Sequence, residues 1–247
     1  MRVLDLHPWE VSPREAAAIQ RRLRDRLVIA NGPLLADLRL VAGADTAYRR
    51  EGRMTVAYSV VVVLRFPELD VVETRRARLP VAFPYVPGLL AFREAPAILA
   101  AFRQVERVPD VVLVDGHGYA HPRRLGLASH LGLLLDVPTI GCAKSRLVGH
   151  AADPPNERGA VSLLVDRGEV VGAAVRTQAG HAPLYVSPGH RIGVERAIEI
   201  ALACCRDAFL PEPTRRADAI VNRAARRDRA AEQGSGCREH STGEPAT

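Results

Sequence analysis

Residues 111–144, VVLVDGHGYAHPRRLGLASHLGLLLDVPTIGCAK, constrain the fold more than any other stretch of the chain. An aliphatic run, Val111 to Val114, ends abruptly at Asp115, and the seven positions after it hold two glycines, two histidines and a proline. That pattern predicts a buried strand delivering a carboxylate into a loop. Beyond Arg123 and Arg124 the spacing becomes helical, with Leu127, Leu131, Leu134 and Leu135 on one stripe. Asp136-Val137-Pro138 stops the helix, and a second apolar run follows, Val137 to Cys142. Strand, loaded loop, helix and strand in that order make a parallel crossover. Two readings of Asp115 stand at this point: it binds a metal at the carboxyl end of a central strand, where open α/β sheets place their ligands, or it only opens a turn.

Lys144 is the only lysine, the other 33 basic residues being arginine. A background that favours arginine this strongly would replace a lysine serving merely as a solvated charge. Lys144 is therefore expected to act where a compact ammonium differs from a guanidinium, near a phosphate or a carboxylate cluster. The formal charge of +6 points to a polyanionic partner. No run of about eighteen apolar residues occurs, and MRVLDLHPWE lacks the apolar core of a signal peptide. A cytoplasmic protein with no membrane association is the expectation, with a monomer as the default. Cys142, Cys204, Cys205 and Cys237 show neither a disulfide framework nor a zinc spacing.

Ser12-Pro13-Arg14-Glu15 reads as a capping box with proline at the first helical position, opening a packing helix through about Ile29 that Asn31-Gly32-Pro33 ends. Leu38 to Ala47 alternates, placing Val41, Gly43 and Asp45 on one face, so that Asp45 projects beside a glycine that leaves open space. Strands over Met54–Arg65 and Leu69–Leu79 complete an antiparallel meander. A Gly/Pro-rich loop, Phe83 to Gly88, leads to a helix from about Glu94 or Ala95 to Val105, with Pro96 in its first turn. Further strands are expected near 160–165 and 169–176, then a short apolar segment around Tyr185 and a helix from Ile192 to Phe209. Thr214 is expected to cap a last helix reaching about Ala231. Residues 1–231 read as a single nuclease-sized domain and 232–247 as a disordered polar tail. His130, on an apolar helix, reads as a satisfied core histidine. His117 and His121 are four apart, but Gly118 and Pro122 argue against the helix a zinc pair would need.

Asp45 on the meander, Glu94 at a helix start, Asp115 ending the next strand and Asp218 on the last helix could converge only if the first and fourth strands are neighbours. That is the layout of a ribonuclease H-like α/β fold: a mixed central sheet of three antiparallel strands followed by parallel strands, flanked by helices. Carboxylate oxygens suit magnesium or manganese rather than zinc.

Pro84-Tyr85-Val86-Pro87-Gly88-Leu89-Leu90-Ala91-Phe92-Arg93-Glu94, Asp115-Gly116-His117-Gly118, His121-Pro122-Arg123-Arg124-Leu125-Gly126 and Pro138-Thr139-Ile140-Gly141 with Lys144 together resemble the endonuclease V family. Val41 to Asp45 and Pro211 to Arg215 match the same family's first strand and last helix, so the likeness covers about residues 5 to 225. It implies a Mg²⁺-dependent repair nuclease, with Mn²⁺ as substitute, that recognises deaminated purines, chiefly hypoxanthine, and nicks DNA at the second phosphodiester bond on the 3′ side. Inosine-containing RNA is a second candidate partner. The resemblance makes Asp45, Glu94 and Asp115 metal-binding acids, with Asp218, where some members carry histidine, as an outer one. It puts Lys144 and His121 at the scissile phosphate and makes Tyr85 of Pro-Tyr-Val-Pro a wedge. Pro84, Pro87, Gly88, Leu89, Gly116, His117 and Gly118 would surround a flipped base, the glycines letting main chain approach it. Two rivals are a structure-specific nuclease or junction resolvase on the same fold, and a non-cleaving nucleic-acid binder.

Overall fold

A computed structural model describes residues 1–235. The elements run α1 (Pro13–Arg24), β1 (Leu40–Glu51), β2 (Met54–Arg65), β3 (Val71–Pro80), α2 (Leu90–Phe102), β4 (Val111–Val114), α3 (Leu127–Leu135), β5 (Thr139–Ala143), β6 (Val161–Asp166), β7 (Glu169–Val175), β8 (Leu184–His190), α4 (Val194–Ala203) and α5 (Glu212–Ser235). Of the polar tail expected to be disordered, residues 232–235 continue α5 instead, and the rest, from residue 236 on, lies outside the described residues.

One eight-stranded sheet has the order β3-β2-β1-β4-β5-β8-β7-β6. The meander is antiparallel, and β4 and β5 join it parallel to β1. The first and fourth strands are thus neighbours, as the convergence of the acids requires, and the arrangement is ribonuclease H-like. The segment around Tyr185 is a full strand, β8, antiparallel to β5, and through it β7 and β6 extend the sheet.

Period-two alternation sends the strands' side chains to two cores. Val41, Val60, Val62, Leu113 and Ile140 pack under α4 and α5, while Ala42, Ala44, Val112 and Val114 pack under α2 and α3. Burial on both faces explains why β2 and β4 read as continuous apolar runs rather than alternating ones.

Helix ends depart from the sequence reading for local reasons. The capping box of Ser12 and Glu15 is present, but α1 stops at Arg24, where the N–H of the capping residue Asp25 turns to Leu23 O; Leu27 still packs on the same cluster, while Val28 is 50% exposed. α2 starts at Leu90, so Pro96 lies inside the helix and Glu94 in its second turn, not at its start. An interior proline costs about 3 kcal/mol; here the burial of Phe92, Ala95, Ile98, Leu99 and Phe102 offsets it. α4 ends early because Arg158 takes the carbonyls of Cys205 and Arg206, at 2.6 and 2.8 Å. Thr214 is not the cap of α5: it lies in the first turn, its hydroxyl donating to Pro211 O at 2.9 Å. His130 is only half satisfied, with Nε2 2.6 Å from His7 Nε2 and Nδ1 buried without a partner. Among the described residues no helix is long and apolar enough to cross a membrane.

Candidate active site

Strand register brings the first two acids together. Ala44 pairs with Val114 in the parallel ladder, so Asp45 and Asp115, one residue further on, leave neighbouring strands roughly 4.8 Å apart. Both share the face of Val41 and Leu113, under α5. The last helix approaches β1 this closely because residue 43 is glycine: a Cβ there would stand 2.1 Å from the Pro213 carbonyl carbon. The space expected to be open beside Asp45 is therefore filled by α5 backbone. The same helix carries Asp218, which accepts a hydrogen bond from Asn222 Nδ2 at 3.1 Å and lies near enough to disfavour charge on Asp45.

Glu94 comes from the other side of the sheet. Tyr48, on the part of β1 that extends past β4, donates its hydroxyl to Glu94 Oε1 at 3.1 Å. The Arg93 guanidinium lies over the Tyr48 ring, 4.7 Å from its centroid. Sequence reading missed Tyr48, and no periodicity links it to Glu94, because the contact crosses from a strand to a helix of distant sequence.

Burial first, then the charges of Asp115 and Asp218, push the Asp45 carboxyl up to about 7. Burial raises Glu94 to about 8 against the hydrogen bond from Tyr48, with Asp45 and Asp115 adding to the rise. The lone lysine ends in this cluster, its Nζ 2.6 Å from Asp115 Oδ2. Burial opposes the charge on Lys144, but Asp115, with Asp218 and Asp45 behind it, holds its pKa above the usual lysine value.

Among the described residues no three His, Cys, Asp or Glu side chains already stand grouped as a metal cage. The donor set nevertheless fits a hard divalent cation. Its acids contribute only oxygen, they raise one another's proton affinity, and a cation between them would relieve that repulsion.

A cleft of about 270 Å³ begins where the acids end, since Gly116 and Ser145, in its wall, follow Asp115 and Lys144 directly. Tyr85, Pro87, Gly88, His117 and His121 also line it, with Gln20 and Arg146, which sequence reading did not single out. Tyr85 stands 72% exposed. His117 has a desolvated ring held below its ordinary pKa, with Nδ1 buried and unpartnered.

Three expected residues lie off the cleft, and a fourth, His121, lines it without joining the acids. His121 is not among the acids: it is 2% exposed, Nε2 lies 3.0 Å from Gly88 O, and Nδ1 accepts from Arg123 N at 3.2 Å. Burial, then the charge of Arg123, lowers its pKa to about 4, so the ring is neutral. Leu89 is 3% exposed in the core with Phe83 and Phe92. Gly118 donates its N–H to Ser187 Oγ at 2.9 Å, and neither it nor Pro84 lines the cleft.

Residues 21–219 match the model of the endonuclease V family. The chain belongs to the endonuclease V family. It is 51% identical over 220 residues to the endonuclease V of Gloeobacter violaceus, covering 89% of each chain. The crystal structure of endonuclease V from Bacillus subtilis superposes with a TM-score of 0.88 at 30% identity, covering 95% of this chain and all of that one. Endonuclease V of Ciona intestinalis, solved in complex with a 24mer DNA containing an inosine followed by a ribo-adenosine, matches with a TM-score of 0.76 at 28% identity, covering 87% of this chain and 98% of that one. Family membership makes the chain a nuclease.

Proposed function

We propose that this chain is a divalent-metal-dependent endonuclease that recognises deaminated purines, chiefly hypoxanthine, in DNA and hydrolyses the second phosphodiester bond on the 3′ side of the lesion. The observation that carries the reading is the direct continuity between the acids and the cleft, through Asp115-Gly116 on one wall and Lys144-Ser145 on the other. It ties phosphodiester chemistry to a recessed site for a single base. The inosine-containing DNA in the Ciona complex supports the choice of base.

Asp45, Asp115, Glu94 and Asp218 would hold Mg²⁺, or Mn²⁺ in its place, which when bound activates a water and stabilises the leaving oxygen of an in-line displacement. Tyr48 orients Glu94 by its hydroxyl hydrogen bond. Lys144 holds Asp115 in the absence of substrate and supplies a compact positive charge to the scissile phosphate in its presence. Tyr85, exposed at the rim, fills the stacking gap left when the damaged base leaves the duplex. The wall of Gly88, Gly116 and His117 encloses the extruded base. Backbone amides and the desolvated His117 ring can read a 6-keto edge there.

One strand carrying a single deoxyinosine tests this. A nick at the second bond 3′ to the lesion, dependent on Mg²⁺ and abolished by EDTA, is expected. Binding without a nick would make the protein a non-cleaving binder, and equal cutting of an undamaged branched duplex would make it a structure-specific nuclease.

A further inference from the structure

The buried stripe of α1 consists of Ala16, Ile19 and Leu23 with one polar exception, Gln20, 1% exposed. A helix that only packs gains nothing from a buried amide, which must be fully hydrogen-bonded to be tolerated. Gln20 Nε2 donates to Leu125 O at 2.9 Å and to Gly88 O at 3.1 Å, and its Oε1 accepts from Arg123 Nε at 2.5 Å. Arg123 Nη2 donates to the same Gly88 carbonyl at 2.6 Å, and His121 Nε2 lies 3.0 Å from it. Three donors thus converge on one carbonyl, which has two lone pairs. The residue they grip holds a positive φ of 78° and follows Pro-Tyr-Val-Pro, where the chain turns into α2.

We propose that Gln20, His121 and Arg123 form a clamp whose function is to fix the Tyr85 loop against the cleft, so that α1 and the 121–124 turn are positioning elements for lesion recognition. The clamp rests on the reading of Tyr85 as the wedge. Without the clamp the loop would be held by the Leu89 N–H to Val86 O bond, at 2.9 Å, and at its start by Arg93 Nη1 on Phe83 O, at 2.8 Å, with no hydrogen bond fixing Gly88 and so more freedom for the exposed tyrosine. Ordering it in advance lowers the entropic cost of inserting it. His121 belongs to this clamp, and its neutral ring donates from Nε2 while Nδ1 accepts from Arg123 N.

Hydrogen–deuterium exchange on the metal-free full-length protein reads the loop, and dissociation constants for inosine-containing and undamaged duplexes read its consequence. In Gln20→Met, which keeps the volume and removes the donors, amides of residues 85–89 should exchange at least about tenfold faster. The preference for the inosine duplex should fall about tenfold, while the Mg²⁺ concentration giving half-maximal cleavage stays at the wild-type value. Arg123→Lys, which keeps the charge and loses the fork, should shift both readouts in the same direction and serves if the buried substitution does not fold. A loop that keeps its protection in these variants, or that loosens with the duplex preference intact, overturns the clamp. Should the wild-type protein not distinguish the two duplexes, the functional reading falls, and the exchange measurement alone then decides the clamp.

Discussion

Lys144 Nζ lies 2.6 Å from Asp115 Oδ2, so the only lysine in a chain otherwise committed to arginine pairs with the acid at the end of the central strand. A guanidinium is wider, and its planar fork would engage both carboxylate oxygens. Lys144→Arg should therefore keep duplex binding and lower single-turnover cleavage of a deoxyinosine strand at least about tenfold. Wild-type cleavage would show that any cation serves.

Asp45→Ala and Asp115→Ala each remove an acid from adjacent strand ends. Losing a hard oxygen donor should cost several kcal/mol of transition-state stabilisation, a fall of at least about a hundredfold in cleavage rate, with duplex binding still measurable. Normal turnover by either variant would take that carboxylate out of the cation site.

The raised carboxyl groups of Asp45, from 3.8 to about 7, and Glu94, from 4.5 to about 8, make the metal-free fold pH-sensitive. Between these limits the folded chain holds protons that the unfolded chain has released. The stabilisation is complete below about pH 4 and is lost as pH rises through 7 to 8. The unfolding temperature without metal should accordingly fall across that window, less so in Asp45→Asn and Glu94→Gln, and Mg²⁺ should restore it at high pH. A metal-free profile unchanged by either substitution would refute the assignment.

Tyr85 is 72% exposed and has no ring contact with another aromatic group among the described residues, so truncation should leave the fold untouched. Tyr85→Ala should weaken binding of an inosine duplex by about 1 to 3 kcal/mol if the ring stacks in the gap. An unaltered dissociation constant would return the ring to a surface role.

Gly43→Ala would drive a methyl group into the Pro213 carbonyl, 2.1 Å away. The helix start must shift, so a loss on the order of 1–3 kcal/mol of stability is expected, together with weaker Mn²⁺ binding by calorimetry as Asp218 moves. Unchanged stability would mean that the helix is not held at that seam.

What the sequence made legible follows from where its signals are local. The run Val111 to Val114 with Asp115 declares a strand end, and the meander of β1 to β3 declares itself by turn lengths, so the acids on strands could be named in advance. Glu94 was named, but its place in α2 was misjudged: Pro96 resembles a helix start, and only the apolar packing of Leu90 to Phe92 overrides it. Contacts between distant segments left no trace in periodicity. Tyr48 on Glu94, Pro213 filling the space over Gly43 and His121 gripping Gly88 each depend on how elements stack after they form. Gly118, expected to meet a base, shows the same limit: a Cβ there would stand 2.2 Å from the Pro188 carbonyl oxygen, so a small residue in a loop can serve a close approach within the chain as readily as a ligand.

Because α5 covers Val41 and Gly43 on β1, the oldest strand of the meander stays bare until the last helix docks. An incompletely synthesised chain would carry Asp45, Glu94 and Asp115 yet expose an oily surface and lack Asp218. Concealment of that surface and delivery of Asp218 to the neighbourhood of Asp45 are thus one docking event.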